Sequence, residues 1–91
     1  MNKEQLIRKL SIRHDRSVTE IRSIVEDTLE IIMTSVGDGK DVSLVGFGKF
    51  SCLRRKARKG RNPNTGEVIN LPESKRIAFQ PGTVFKRVIT D

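Results

Sequence analysis

Arg54, Arg55, Lys56, Arg58, Lys59 and Arg61 place six cations within eight residues, and Asn62-Pro63-Asn64-Thr65-Gly66 follows at once. Cations at that density neutralise a polyanion; the chemistry is ionic, driven by release of counterions, and no bond is made or broken. Asn, Pro and Gly are turn formers, so the run reverses instead of trailing off. Apolar residues resume at Val68, Ile69 and Leu71, which suggests a basic two-stranded ribbon. A proline near the tip brings a stiff apolar ring with no N–H to satisfy, and ladders tolerate it only at edges and ends. Such a ribbon holds a polyanion and presses a ring into it. The ten residue steps from Leu53 to Pro63 span about 33 Å of strand, enough to curl partly around a duplex. Nothing in the ribbon reads as an apolar face, so it is expected to be mobile until a partner orders it.

The charge distribution agrees. Residues 1–40 hold seven Lys/Arg and seven Asp/Glu, whereas residues 41–91 hold eleven and four. The whole excess of +7 lies in the second part, as for a directed binding surface. A nucleic acid backbone or an anionic membrane is the natural partner. The membrane reading is the weaker, because the cations do not lie opposite an apolar helix face.

Catalytic groups are sparse. His14 and Cys52 are single residues of their kinds; His14 reads as a surface or helix-end residue and Cys52 as a small buried hydrophobe. Gly46 and Gly48 form a Gly-x-Gly without the rest of a dinucleotide fingerprint. No metal-ligand spacing, phosphate loop or nucleophile–base pair is present. The expectation is no enzyme, no cofactor and no metal. No run approaches the roughly 18 apolar residues of a membrane span, and residues 1–20 contain no signal-type apolar core. One cysteine and no signal segment fit a cytoplasmic setting.

These residues need a body to carry them. Asn2 caps a first helix, with Gln5 completing a capping box, and Leu6, Ile7 and Leu10 line one face to about Arg13 or His14. Ser17 opens a second helix, again with a box partner in Glu20. Val18, Ile21, Ile24, Val25, Leu29, Ile32 and Val36 recur at three- and four-residue steps, and Gly37 and Gly39 stop the helix. Asp41–Val45 reads as a strand and Gly46-Phe47-Gly48 as a tight turn. A second strand, with Phe50 and Cys52 alternating against Ser51, runs outward into the basic segment. Val68 to Ile77 returns, Ile77-Ala78-Phe79 re-enters the body, Pro81-Gly82 breaks the strand, and Thr83 caps a short last helix bearing Val84, Phe85 and Val88. The order is α-α-β-β-β-α in a single α+β domain. About 70 residues remain for the body, a marginal core for a monomer, and no cysteine pair can staple it. Two copies sharing a core is the favoured solution, with the phenylalanines as anchors.

Gly46-Phe47-Gly48-Lys49-Phe50, Arg55, Arg58, Gly60 and Arg61-Asn62-Pro63-Asn64-Thr65-Gly66 together resemble the HU/IHF family of bacterial histone-like DNA-bending proteins. Met1-Asn2-Lys3 through Leu6-Ile7, and Phe79-Gln80-Pro81-Gly82 followed by Lys86, extend the resemblance from residue 1 to about residue 90. In length the chain is closer to HU. The resemblance implies an intertwined dimer: a helical-hairpin base, a three-stranded antiparallel sheet per subunit, a protruding β-ribbon arm and a short C-terminal helix. Residues 1–52 and 77–91 would form the dimerisation body and about 53–76 the arm. It implies architectural binding of double-stranded DNA in the nucleoid, with arms in the minor groove and Pro63 as a wedge that kinks a base step. Arg55, Arg58, Arg61 and Asn62, with Lys56 and Lys59 of the same run, would line the arm. Lys75 would sit at the base of the return strand, and Lys86 and the backbone at Gly46 would meet phosphates at the body. Phe47, Phe50 and Phe79 would form the dimer core, with Leu44, Leu29 and Ile32 packed beside them.

Thr83 and Phe85 depart from the pattern, where a lysine and a leucine are common, so no cationic contact is assigned at Thr83. The groove follows from the resemblance alone, since a ribbon fits the major groove more easily. A preference for bent, nicked or distorted DNA is expected, because unstacking costs less there. Homodimer is expected, with a heterodimer of paralogues as the alternative. Site-specific bending of the IHF kind and a small basic RNA-binding module are the alternative functions.

Overall fold

The computed structural model describes residues 1–90; Asp91, the last residue of the expected 1–91 domain, lies outside the described residues. The elements are α1 (Lys3–His14), α2 (Val18–Gly37), β1 (Val42–Leu44), β2 (Gly48–Arg55), β3 (Arg58–Arg61), β4 (Val68–Leu71), β5 (Ser74–Pro81) and α3 (Thr83–Thr90). They group into two compact units, Met1–Thr34 and the part beginning at Ser35.

In the first unit α1 starts as expected. The Asn2 side chain accepts from the Gln5 amide at 2.9 Å, and the Gln5 side chain accepts from the Asn2 amide at 3.0 Å. Two of the helix's orphan donors are thereby satisfied. The helix stops where Asp15 turns left-handed, at φ 52 and ψ 50. The second capping box is only half made. Ser17 Oγ accepts from the Glu20 amide at 3.2 Å, but the Glu20 carboxylate faces Arg16 one turn back, at 3.8 Å, where a cation competes with the backbone for it. Ile7, Ile21 and Val25 make a small buried core with Leu10 against it. Arg22 reaches from α2 to grip both carboxylate oxygens of Glu4 on α1, one of them at 2.8 Å.

The second unit opens on the end of α2. The Gly39 amide donates to Val36 and the Lys40 amide to Ser35, each at 3.0 Å, the paired bonds of a Schellman stop. The chain then enters an antiparallel sheet of order β1-β2-β5. Val42 lies opposite Phe50, and Phe50 opposite Phe79. Opposite residues share a face, so Val42, Phe50, Cys52, Ile77 and Phe79 line one side. Phe47, at the turn, stacks there with rings 5.4 Å from Phe79 and 5.3 Å from Phe85, and Phe50 lies 4.7 Å from Phe79. Each such pair contributes about 0.5–1.5 kcal/mol beyond burial. Phe85 thus belongs to the cluster, as its bulk allows. Yet Phe47 and Phe79 remain 44% and 39% exposed and Ile77 74%, so the cluster is uncovered in a single copy.

The basic strand is not continuous. β2 pairs with β5 as far as Arg55–Ser74, and a separate two-stranded ribbon begins at Arg58–Leu71. Lys56-Ala57 and Pro72-Glu73 carry no ladder. Pro72 has no N–H to donate, which breaks the pairing there. Register survives the break: the chain advances three residues on one strand and retreats three on the other. The interruption is therefore a joint in one long hairpin and not a bulge. The last helix also differs from expectation. It begins at Thr83 with the Gly82 carbonyl accepting from Lys86 at 3.0 Å. Gly82, whose own amide is held by the Phe47 carbonyl at 2.8 Å, occupies the position expected for Thr83.

Candidate nucleic-acid interface

The arm tip is built from local hydrogen bonds. Asn62 donates its amide to the Glu67 carbonyl at 2.8 Å, and its carbonyl accepts from the Gly66 amide at 2.7 Å. Its side chain accepts from the Asn64 amide at 2.9 Å, and Thr65 Oγ1 accepts from the Glu67 amide at 3.3 Å. Gly66 sits at φ +74, a backbone that side chains rarely adopt. Asn62 is therefore the half-buried clasp of the turn, while Pro63 stands exposed at its outer end. A ring on a turn closed by four bonds moves with the arm and not independently of it.

Alternation along β3 and β4 splits the cations. Arg58, Gly60, Ile69 and Leu71 share one face of the ribbon; Lys59, Arg61, Val68 and Asn70 share the other. Both faces thus carry positive charge. The arm does have an apolar patch, contrary to the sequence expectation: Leu71 lies across Gly60, close enough that a Cβ there would stand 3.1 Å from its Cδ1, with Ile69 beside it. The period-two signal was readable in Ile69 and Leu71, and the neighbouring charges masked it. Arg54 is held by Glu73 at 3.1 Å. Among the described residues Arg55, Lys56, Arg58, Lys59 and Arg61 have no carboxylate partner, so their donors are available.

At the body, Gly46 and Lys86 lie together. Both line a hollow of about 350 Å³ with Lys49, Gln80 and Thr83, at the start of α3. Lys49 is engaged with Asp41 at 3.6 Å; Lys86 has no such partner among the described residues. Helix start, backbone amides and one cation favour an anion. Lys75 is not brought to the same side as Arg55. It pairs with Arg54 on the aromatic face and lines a separate hollow with Asp38, Cys52 and Arg54. The residue that does share the Arg55 face is Arg76, which the sequence reading left out. Its parity with Ala78 and Gln80, against Ile77 and Phe79, was the available signal.

Comparison with known proteins decides the family. The family model described as bacterial DNA-binding protein matches residues 1–90. The chain belongs to this family. Among bacterial DNA-binding proteins it is similar to DNA-binding protein HU of Buchnera aphidicola, 44% identical over 98% of this chain and 97% of the relative. The HU protein of Staphylococcus aureus is 42% identical over 98% and 99% of the two chains. Among solved structures, Anabaena HU crystallised with DNA superposes with a TM-score of 0.80 at 35% identity, covering 98% of this chain and 97% of that one. HU from Thermotoga maritima, at 22% identity and TM-score 0.69 over 98% of each chain, shares the fold. The α+β architecture with an arm and a C-terminal helix is that of the HU-type bacterial DNA-binding proteins. No helix among the described residues is long and apolar enough to cross a membrane, and no group of three or more His, Cys, Asp or Glu among them is placed to hold a metal ion.

Proposed function

We propose that this protein is an architectural DNA-binding protein that works as a dimer to bend and compact duplex DNA. The observation that carries the reading is an arm of unpaired cations closed by a rigid turn with Pro63 at its end, on a chain similar throughout to an HU protein solved with DNA. Its role is structural and not catalytic.

Affinity comes from Arg55, Lys56, Arg58, Lys59 and Arg61 on the arm, with Asn62 at its tip. Lys86 and the amides by Gly46 anchor the duplex at the body. Phosphate contacts carry no base information, so binding is largely independent of sequence. The arm lies in the minor groove, where cations on both faces of the ribbon meet the two sugar–phosphate walls. Pro63 enters a base step. Unstacking costs a few kcal/mol, and the bend recovers it by laying more backbone on the body. Duplexes already nicked, bent or mismatched are bound more tightly for that reason. Lys75, on the aromatic face, reaches only DNA that has wrapped past the sheet edge.

The half-exposed cluster of Phe47, Phe79 and Ile77 supports a homodimer, since a second copy supplies the missing cover. Leu44 and Phe50 beside that cluster, and Leu29 and Ile32 in the first unit, are further residues that the second copy covers. Residues 1–52 and 77–91 act as the dimerising body and residues 53–76 as the arm, in a protein of the cytoplasmic nucleoid.

The test is end-to-end FRET on a random-sequence duplex of roughly 35 base pairs, titrated with protein at low salt. Ends that approach on binding support a sequence-independent bender. Binding with the ends still apart overturns the wedge and the bending role together.

A further inference from the structure

We propose that Arg76 and Arg55, with Ser74 beside them, form a phosphate seat on the outer face of the sheet, at the root of the arm, that grips a bound duplex. The proposal rests on the DNA-binding reading above and adds a residue and a site to it.

The ladder sets the geometry. Arg55 lies opposite Ser74 and Leu53 opposite Arg76, so all four side chains stand on one face, away from the phenylalanines. Arg55 and Arg76 are diagonal neighbours across the strand pair, a separation of about 7–8 Å at the backbone. They border a hollow of about 250 Å³ lined by Leu53, Arg54, Arg55, Ser74 and Arg76. The adjacent carboxylate, Glu73, is neutralised by Arg54 at 3.1 Å. Two guanidinium groups are therefore left around the hollow with no acidic partner among the described residues.

Two like charges at diagonal positions of one face repel, and an anion between them relieves that. Guanidinium forks match phosphate oxygens two at a time, and the Ser74 hydroxyl has a donor to add. A free phosphate gains little from two exposed arginines in water. A phosphodiester delivered by the ribbon beyond the break arrives at high effective concentration. That difference favours a nucleic acid backbone over a small anion. Cations on β3, beyond the break, hold a duplex farther out; this seat, at the root of the arm, would hold it beside the sheet.

The experiment uses the full-length protein and a fluorescent 35-base-pair duplex, with affinity measured across a sodium chloride series. Arg76→Gln is expected to weaken binding about tenfold at low salt and to flatten the salt slope by about 1 for each seat in the complex. Arg76→Lys should recover the slope but only part of the affinity, since an ammonium cannot make the fork. Arg61→Ala, on the arm, serves as the reference. If Arg61→Ala and the unaltered protein behave as arm binding requires while Arg76→Gln changes neither affinity nor slope, the seat is wrong. Weaker binding by Arg76→Gln with an unchanged slope also overturns it, because the loss would not be ionic. If the unaltered protein fails to bind DNA, the functional reading itself fails.

Discussion

The ring of Phe79 occupies the space that a side chain on Gly48 would need. A Cβ at Gly48 would stand 2.6 Å from Cε1 and Cζ of Phe79 and 2.7 Å from the Gln80 carbonyl oxygen. Neither backbone nor a packed ring gives way by that much. Gly48→Ala should therefore destabilise the protein by about 1–3 kcal/mol, lowering the melting temperature by roughly 4–8 °C per kcal/mol. Circular dichroism melts of the two proteins would decide it; an unchanged midpoint would mean that the sheet shifts to admit the methyl group.

Pro63 stands outside the hydrogen bonds that close the turn, so removing its ring leaves the tip intact. Pro63→Ala should keep the affinity within a few-fold while reducing the FRET change of a bound duplex, because the ring is the wedge and the cations are the grip. An unaltered bend angle in the variant would remove the wedge role.

Arg58 and Arg61 lie on opposite faces of the ribbon. Each single change to Ala should weaken binding on every sequence and reduce the salt slope by about 1 per arm. Competition between unrelated duplexes, repeated at several salt concentrations, checks this. Loss confined to one sequence would assign the arginine to base reading instead.

The carboxyl of Glu4 is held below its usual value of about 4.5, first by its hydrogen bonds from Arg22 and then by charge, with desolvation opposing. A carboxyl depressed in the folded state stabilises above its unfolded pKa and loses that contribution as pH falls through the folded value. Glu4→Gln should thus lower the melting temperature slightly near neutrality, and the gap to the unaltered protein should narrow as the pH falls below 4.5. Both partners are exposed, which keeps the effect small. A gap that persists at acid pH would mean that packing, not the ion pair, is responsible.

The helices were legible because their signals are local: Asn2 with Gln5, the apolar spacing of α2 and the glycines at its end specify start, face and stop without help from distant residues. The hairpin was legible from Asn62-Pro63-Asn64-Thr65-Gly66 and the return of apolar residues. What escaped depends on which strand faces which. Lys75 and Arg76 are adjacent in sequence and on opposite sides of the sheet; parity separates them, but the pairing of Leu53 with Arg76 is what joins Arg76 to Arg55. The joint escaped as well, because Pro72 reads as an edge proline until its partner, Ala57, is known. The half-made cap at Ser17 turned on a competition for Glu20 that sequence spacing leaves open.

The unpaired stretch between the sheet and the ribbon gives the arm a mechanical character of its own. Since the two ladders stay in step across it, the outer one can swivel with no bond to break and no pairing to slip. Two residues on each side are too few for the strands to part. The arm is thus a stiff lever on a short universal joint. In a dimer, two such levers make a caliper: the opening between the tips adjusts to the duplex it meets, while the length of each jaw is fixed by β3 and β4. On the proposed reading, a protein so made measures along DNA by its own reach.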